Sequence, residues 1–281
     1  MRVEATTSRQ PPSPRGVSRL RRLAAVLRAF WAVNLAEELQ YRANLLASVV
    51  GTGFWLGTAV LTAAVFFRQT PALGGWSFWQ VVALLGVFNA VAGVVEAVLR
   101  PNVGRIVEHV RRGTMDLILS KPVDAQFQVT FRRIVIWRGV DIVLGLGLTA
   151  AALVIGGRWP GIVEVVAFVV ALAAAVAIAY AIWLGLMSLA FWFVAVENLS
   201  ILFDALYESA RFPVTAYPGA IRFVLTYLVP MAWITTVPAG ALTGRVGPGF
   251  ALVSALVAAA ALALTRLLWR VALRRYTSAG G

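Results

Sequence analysis

The chain has 281 residues, 60% of them hydrophobic and 13% charged, with a mean hydropathy of +0.82. A soluble domain carries roughly 25% charged residues, so no large extramembrane domain remains. The formal charge is +13, there is no Cys, and His109 is the single histidine, which excludes a disulfide framework, a thiol nucleophile, a thiolate metal site and a histidine cluster.

Residues 1–16 hold Pro11, Pro12 and Pro14 among Ser and Thr and read as a disordered cytoplasmic tail. Over 17–42 the pattern changes. Leu20, Leu23, Leu27, Phe30, Trp31, Leu35 and Leu39 recur at helical spacing, with Arg19, Arg22 and Arg28 largely off that stripe, which predicts an amphipathic helix lying along the inner interface. The basic start is not read as a signal peptide, because the first apolar run begins at Ala43 and is too long for an h-region.

Five uncharged runs follow, at 43–67, 76–95, 165–196, 223–244 and 246–265, with a shorter one at 142–157. A helix crosses a hydrocarbon core of roughly 30 Å with about 20 apolar residues, so these runs predict an all-α polytopic membrane protein with six transmembrane helices over 43–270. Of the 25 Lys and Arg, eight precede the first run, eight lie between Arg100 and Arg138, and four follow the last run. Cationic loops stay in the cytoplasm, so both termini, the tail 271–281 and the loop 100–138 are expected there. At membrane flanks such charge faces anionic headgroups, and no nucleic-acid partner is expected.

The loop 100–138 contains Gly113-Thr114-Met115-Asp116-Leu117-Ile118-Leu119-Ser120-Lys121-Pro122-Val123. Gly113 and Thr114 can start a short helix, Asp116 suits its first turn, and Pro122 stops it. Leu117, Ile118 and Leu119 then form an apolar knob. Such a knob either docks on a cytosolic partner or folds back under its own bundle.

This segment resembles the Gly-Thr-Leu-(Asp/Glu)-x-Leu-Leu-x-x-Pro-(Val/Leu) stretch of type-2 ATP-binding-cassette (ABC) exporter permeases. Farther on, Ala210-Arg211-Phe212-Pro213-Val214-Thr215-Ala216-Tyr217-Pro218, Tyr227-Leu228-Val229-Pro230 and Val237-Pro238-Ala239-Gly240-Ala241-Leu242 are similar to the Arg-Phe-Pro-x-x-x-Tyr-Pro series of one bacterial branch. The resemblance covers roughly residues 18–275. It implies a non-enzymatic permease subunit in the bacterial inner membrane, dimerising with itself or a related permease and docking cytosolic ABC ATPases. Gly113, Thr114, Asp116, Leu117, Ile118, Leu119, Lys121 and Pro122 would form the coupling helix. No G-x-x-x-x-G-K-[ST] occurs and Lys121 is the only lysine, so this chain is expected to bind no cofactor, with ATP and Mg held by the partner ATPase. The implied activity is export of a hydrophobic or amphipathic substrate by alternating access, and the competing reading is an ATP-independent secondary transporter or channel.

Apolarity alone makes 223–244 the fifth span. The resemblance instead places that span at about 199–214 and makes 215–244 an outer re-entrant segment, which Pro218, Pro230 and Pro238 favour because prolines interrupt a helix. Asp204, Glu208 and Arg211 then share one helix face at i, i+4, i+7. With Pro213, Pro230 and Pro238 they are assigned to the transport pathway or a gate, against the alternatives of a solvated face or a structural ion pair. Glu96 and Asp141, near the inner ends of their spans, are expected to pair with neighbouring arginines. Trp76, Trp79, Trp159, Trp192 and Trp269 are read as interface anchors, His109 as a cytosolic surface residue, and Gly53 with Gly57 as a weak helix-packing motif.

Overall fold

The computed structural model describes residues 27–28, 31–32, 42–193 and 199–276. Among them the regular structure is helical, apart from an isolated bridge between Leu73 and Trp76. The long helices are α1 (Arg42–Phe67), α2 (Phe78–Val94), α6 (Gly139–Ile155), α7 (Ile162–Ser188) and α11 (Gly249–Arg275). Between α2 and α6 the 100–138 loop holds α3 (Ile106–Arg111), α4 (Asp116–Leu119) and α5 (Ala125–Phe131). After α7 come α8 (Leu199–Glu208), α9 (Gly219–Phe223) and α10 (Thr236–Thr243). Of the interfacial helix expected at 17–42, Leu27, Arg28, Trp31 and Ala32 are described and helical, and the Trp31 indole donates to the Phe131 carbonyl at 3.3 Å. The remainder of that stretch, apart from Arg42, lies outside the described residues, as does the tail beyond Tyr276.

Among the described residues, five helices are long and apolar enough to cross a membrane: Ala43–Phe67, Phe78–Leu99, Ile136–Ile155, Ile162–Phe191 and Gly249–Arg275. The third begins well before the uncharged run at 142–157, because Arg138 and Asp141 neutralise each other at 3.5 Å and are carried into the helix as a pair. The last continues through 271–275, which the sequence assigned to the tail. A further pair, Gly219–Leu228 and Met231–Thr243, is long and apolar enough only when taken together and is bent by 73°, as in a broken span or a re-entrant loop.

The break has a local cause. Pro230 lacks an N–H and forces Val229 out of helical geometry, to φ −119° and ψ 91°. Pro218 and Pro238 do not break anything: Pro218 precedes the first residue of α9, and Pro238 lies in the first turn of α10, where a missing donor costs little. Both ends of the bent segment are tied to one turn. Thr215 donates to the Gly74 carbonyl at 2.7 Å, and Arg245 donates to the Gly75 carbonyl at 2.8 Å. Gly74 is required there, since its φ is +56° and a Cβ would stand 2.5 Å from the Ala216 nitrogen. The stretch expected to cross at 199–214 consists of the ten-residue α8 and one 3-10 turn, Ser209–Arg211, before Phe212 turns extended.

Helix packing is closest between α2 and α6. A Cβ on Gly86 would meet Thr149 Oγ1 at 2.4 Å, and one on Gly145 would meet the Ala90 nitrogen at 2.6 Å, so small residues let the two backbones touch. Gly53 and Gly57, by contrast, have nothing within 4 Å of a built Cβ. The tryptophans divide. Trp159 and Trp192 are exposed, whereas Trp76 and Trp269 are buried and therefore not interface anchors: Arg245 covers the Trp76 ring at 5.2 Å and Phe191 packs edge-on to Trp269 at 5.7 Å.

Candidate transport cavity and the loop between the second and third long helices

A cavity of about 410 Å³ opens between α1, the inner half of α2 and α8. Its apolar wall holds Trp55, Phe88, Tyr207 and Phe203, and Trp183 of α7 extends this aromatic series behind the lining. Trp55 stacks on Phe88 at 5.9 Å, Phe88 contacts Tyr207 at 4.7 Å, Tyr207 stacks on Phe203 at 5.8 Å, and Phe203 meets Trp183 at 4.2 Å. Arginines cap both ends, with Arg211 over Trp55 at 4.4 Å and Arg100 over Trp183 at 5.1 Å. Each aromatic or cation–aromatic contact contributes of order 0.5–2 kcal/mol, so the wall is a fixed surface.

The polar wall carries Glu96, Arg100, Arg138, Asp141, Asp204 and Glu208. Arg100 Nε donates to Glu96 at 2.6 Å and its Nη2 donates to Asp204 at 2.7 Å. Arg138 lies 3.5 Å from Asp141, whose other oxygen accepts from the Thr52 hydroxyl, and Asn89 donates to the Asp141 backbone carbonyl at 2.7 Å. The expectation that Glu96 and Asp141 pair with neighbouring arginines is met.

The three charges assigned to one face of the 199–214 helix part company. Asp204 turns to Arg100, while Glu208 faces Arg211 at 3.5 Å, and only the two carboxylates line the cavity. Pro213 is buried behind them, where the Thr235 hydroxyl donates to the Ala210 carbonyl at 2.6 Å and the Val214 N–H donates to the Thr236 hydroxyl at 3.1 Å. These bonds stitch the start of α10 to the end of α8. Pro230 and Pro238 do not reach the cavity lining. Thr52, Asn89 and Tyr207 were not singled out in the sequence. The one signal for them is that a polar residue in an apolar span needs a partner inside the bundle.

In the 100–138 loop, Gly113 at φ +66° makes the turn that separates α3 from α4. Thr114 accepts or donates with His109 Nδ1 at 2.9 Å. Burial, with help from the Arg105 charge, holds His109 below the ordinary histidine value, so it is a neutral, half-buried residue rather than a freely exposed one. Asp116 opens α4 and lies near Tyr276, whose phenol is pushed up by burial and by that carboxylate. Met115 and Ile118 are buried in the main core, each worth about 1.5–3 kcal/mol of burial, while Leu117, Leu119, Lys121 and Pro122 are exposed. Asp124 caps α5 by accepting from the Phe127 N–H at 3.1 Å and pairs with Arg266 at 2.7 Å, fastening the loop to α11.

Among the described residues no cluster of His, Asp and Glu could hold a metal ion. Residues 54–280 match the model of a family described as ABC-2 family transporter protein. No curated protein and no solved structure matches the chain.

Proposed function

Because the chain belongs to the ABC-2 transporter family, we propose that it is the permease subunit of an ATP-driven exporter, working with a cytosolic ABC ATPase. The observation that carries this reading is the division of labour within the five loop residues 115–119. Met115 and Ile118 anchor α4 to the bundle, and Leu117 and Leu119 present an apolar surface to the cytoplasm. An apolar pair on a rigidly anchored element suits a docking contact, since its ordering cost is already met.

ATP and Mg are held by the ATPase, and the permease supplies the path. The cavity, with its aromatic wall and its charged wall, suits a hydrophobic or amphipathic cargo that has both an apolar body and a polar end. Closure of the ATPases displaces α4, and a pair of permease subunits, identical or related, alternates between inward and outward access. The bacterial inner membrane, with both termini and the loop 100–138 in the cytoplasm, is the orientation that the basic residues support. Segment 215–244 enters from the outer face and returns to it, a reading supported by the attachment of both its ends to Gly74 and Gly75.

The test is purification of the tagged chain in mild detergent. A copurifying ATPase whose hydrolysis drives uptake of an amphipathic dye into inside-out vesicles supports the reading. Dye movement that persists without nucleotide and follows an ion gradient instead identifies a secondary transporter.

A further inference from the structure

Arg100 stands at the start of the cytoplasmic loop and Arg138 in the first turn of the span that follows it, and the side chains of both residues meet at Glu96. Glu96 Oε1 accepts from Arg100 Nε at 2.6 Å and its Oε2 lies 3.9 Å from Arg138 Nη2. Each arginine then reaches a second carboxylate in the cavity: Arg100 holds Asp204 of α8 at 2.7 Å, and Arg138 faces Asp141 of α6 at 3.5 Å. Asp141 passes the connection to Thr52 of α1. One chain of alternating charge therefore runs from α8 through Arg100, Glu96 and Arg138 to α1.

The root of the loop is rigid. The Val135 N–H donates to the Ala97 carbonyl at 2.9 Å, and the Asn102 side chain bonds the Arg133 carbonyl and N–H at 2.6 and 2.8 Å. A displaced loop must therefore carry Arg100 and Arg138 with it. The two arms of the chain differ in what they can release. The Arg100 and Asp204 side chains are 40% and 44% exposed, so water can replace either partner; on the other arm Arg138 is 46% exposed, but the Asp141 side chain is 9% exposed and also accepts from the Thr52 hydroxyl, so that carboxylate is held in place. The α8 arm is the one free to switch.

We propose that Glu96 is the positioning residue that joins both ends of the cytoplasmic loop to the cavity, so that displacement of the loop is relayed through Arg100 and Asp204 to α8 while α1 stays anchored through Arg138 and Asp141. The relay rests on the reading of this loop as the ATPase-coupled element. Glu96 touches no cargo; it fixes the two arginines.

The chain has no native cysteine, so spin labels can be placed cleanly at Ala205→Cys on α8 and Gly147→Cys on α6. Their separation is measured by electron double resonance on the complex with its copurifying ATPase in lipid nanodiscs, before and after trapping with ATP, Mg and vanadate. The labelled wild-type background is expected to show a trapped-state shift in distance. Glu96→Gln should reduce that shift at least twofold while the ATPase stays bound, and Glu96→Asp, which keeps the charge, should retain more than half of it. If Glu96→Gln does not assemble, Asp204→Asn removes the α8 arm alone and must give the same loss. An undiminished shift in Glu96→Gln or Asp204→Asn, or no shift at all in a background that binds ATPase, overturns the relay. Failure of any ATPase to copurify with the wild type instead overturns the exporter reading, and the relay with it.

Discussion

Leu117 and Ile118 are neighbours in a four-residue helix and face opposite ways: Ile118 is 6% exposed against the bundle core, and Leu117 is 67% exposed. The same pair of side chains thus separates anchoring from docking. Leu117→Asp places a charge on a solvated face and should leave thermal stability in detergent within experimental error, while abolishing ATPase copurification. Ile118→Asp buries an unpaired carboxylate and should cost several kcal/mol, seen as a lowered melting temperature. Retained ATPase binding in a Leu117→Asp, Leu119→Asp double variant would count against the docking assignment.

Asp124 gives the pH dependence. The hydrogen bond from Arg266 holds its carboxyl below the ordinary carboxylate range, so its contribution to stability is full above the unfolded-state value and is lost as pH falls through the folded-state value. Asp124→Asn keeps an N-cap acceptor for α5 but removes the charge. The melting-temperature gap between wild type and Asp124→Asn should therefore be open at neutral pH and narrow as the pH falls below the ordinary carboxylate range, where the wild-type carboxyl is at last protonated. A gap that stays constant would show that the ion pair contributes nothing.

The α2 and α6 contact predicts a contrast among glycines of the same two helices. Gly145→Ala places a methyl group 2.6 Å from the Ala90 backbone and should destabilise by about 1–3 kcal/mol or prevent assembly. Gly147→Ala, two residues on, meets nothing within 4 Å and should be neutral or slightly stabilising. Thermal scans of the two variants side by side measure the difference.

Topology is tested by an impermeant thiol reagent applied to intact cells. A cysteine at Ala220 should react from outside, since α9 follows the Thr215 attachment to the outer turn, and one at Lys121 should not. Protection of position 220, or labelling of position 121, would reverse the orientation drawn from the arginines.

Composition and spacing alone determined that this is a helical membrane protein, where most of its long apolar helices lie, and which loops carry the positive charge. These are properties of local apolarity, and each run of about 20 residues expresses them without reference to any other. The motif at 113–123 was equally legible, because Gly113 and Pro122 delimit α4 by backbone rules that need no partner. Three matters were decided only by the tertiary structure. The third span begins at Ile136, because Arg138 and Asp141 cancel each other in place and a hydropathy count treats them as two penalties. Trp76 and Trp269 go inward, since whether an aromatic at a span end meets lipid or a neighbouring helix depends on helix rotation. The convergence of Glu96, Arg100, Arg138, Asp141 and Asp204 on one cavity was invisible for the same reason: Asp204 is more than a hundred positions from Glu96, and a charge pair across that separation is set by how α8 packs against the foot of α2.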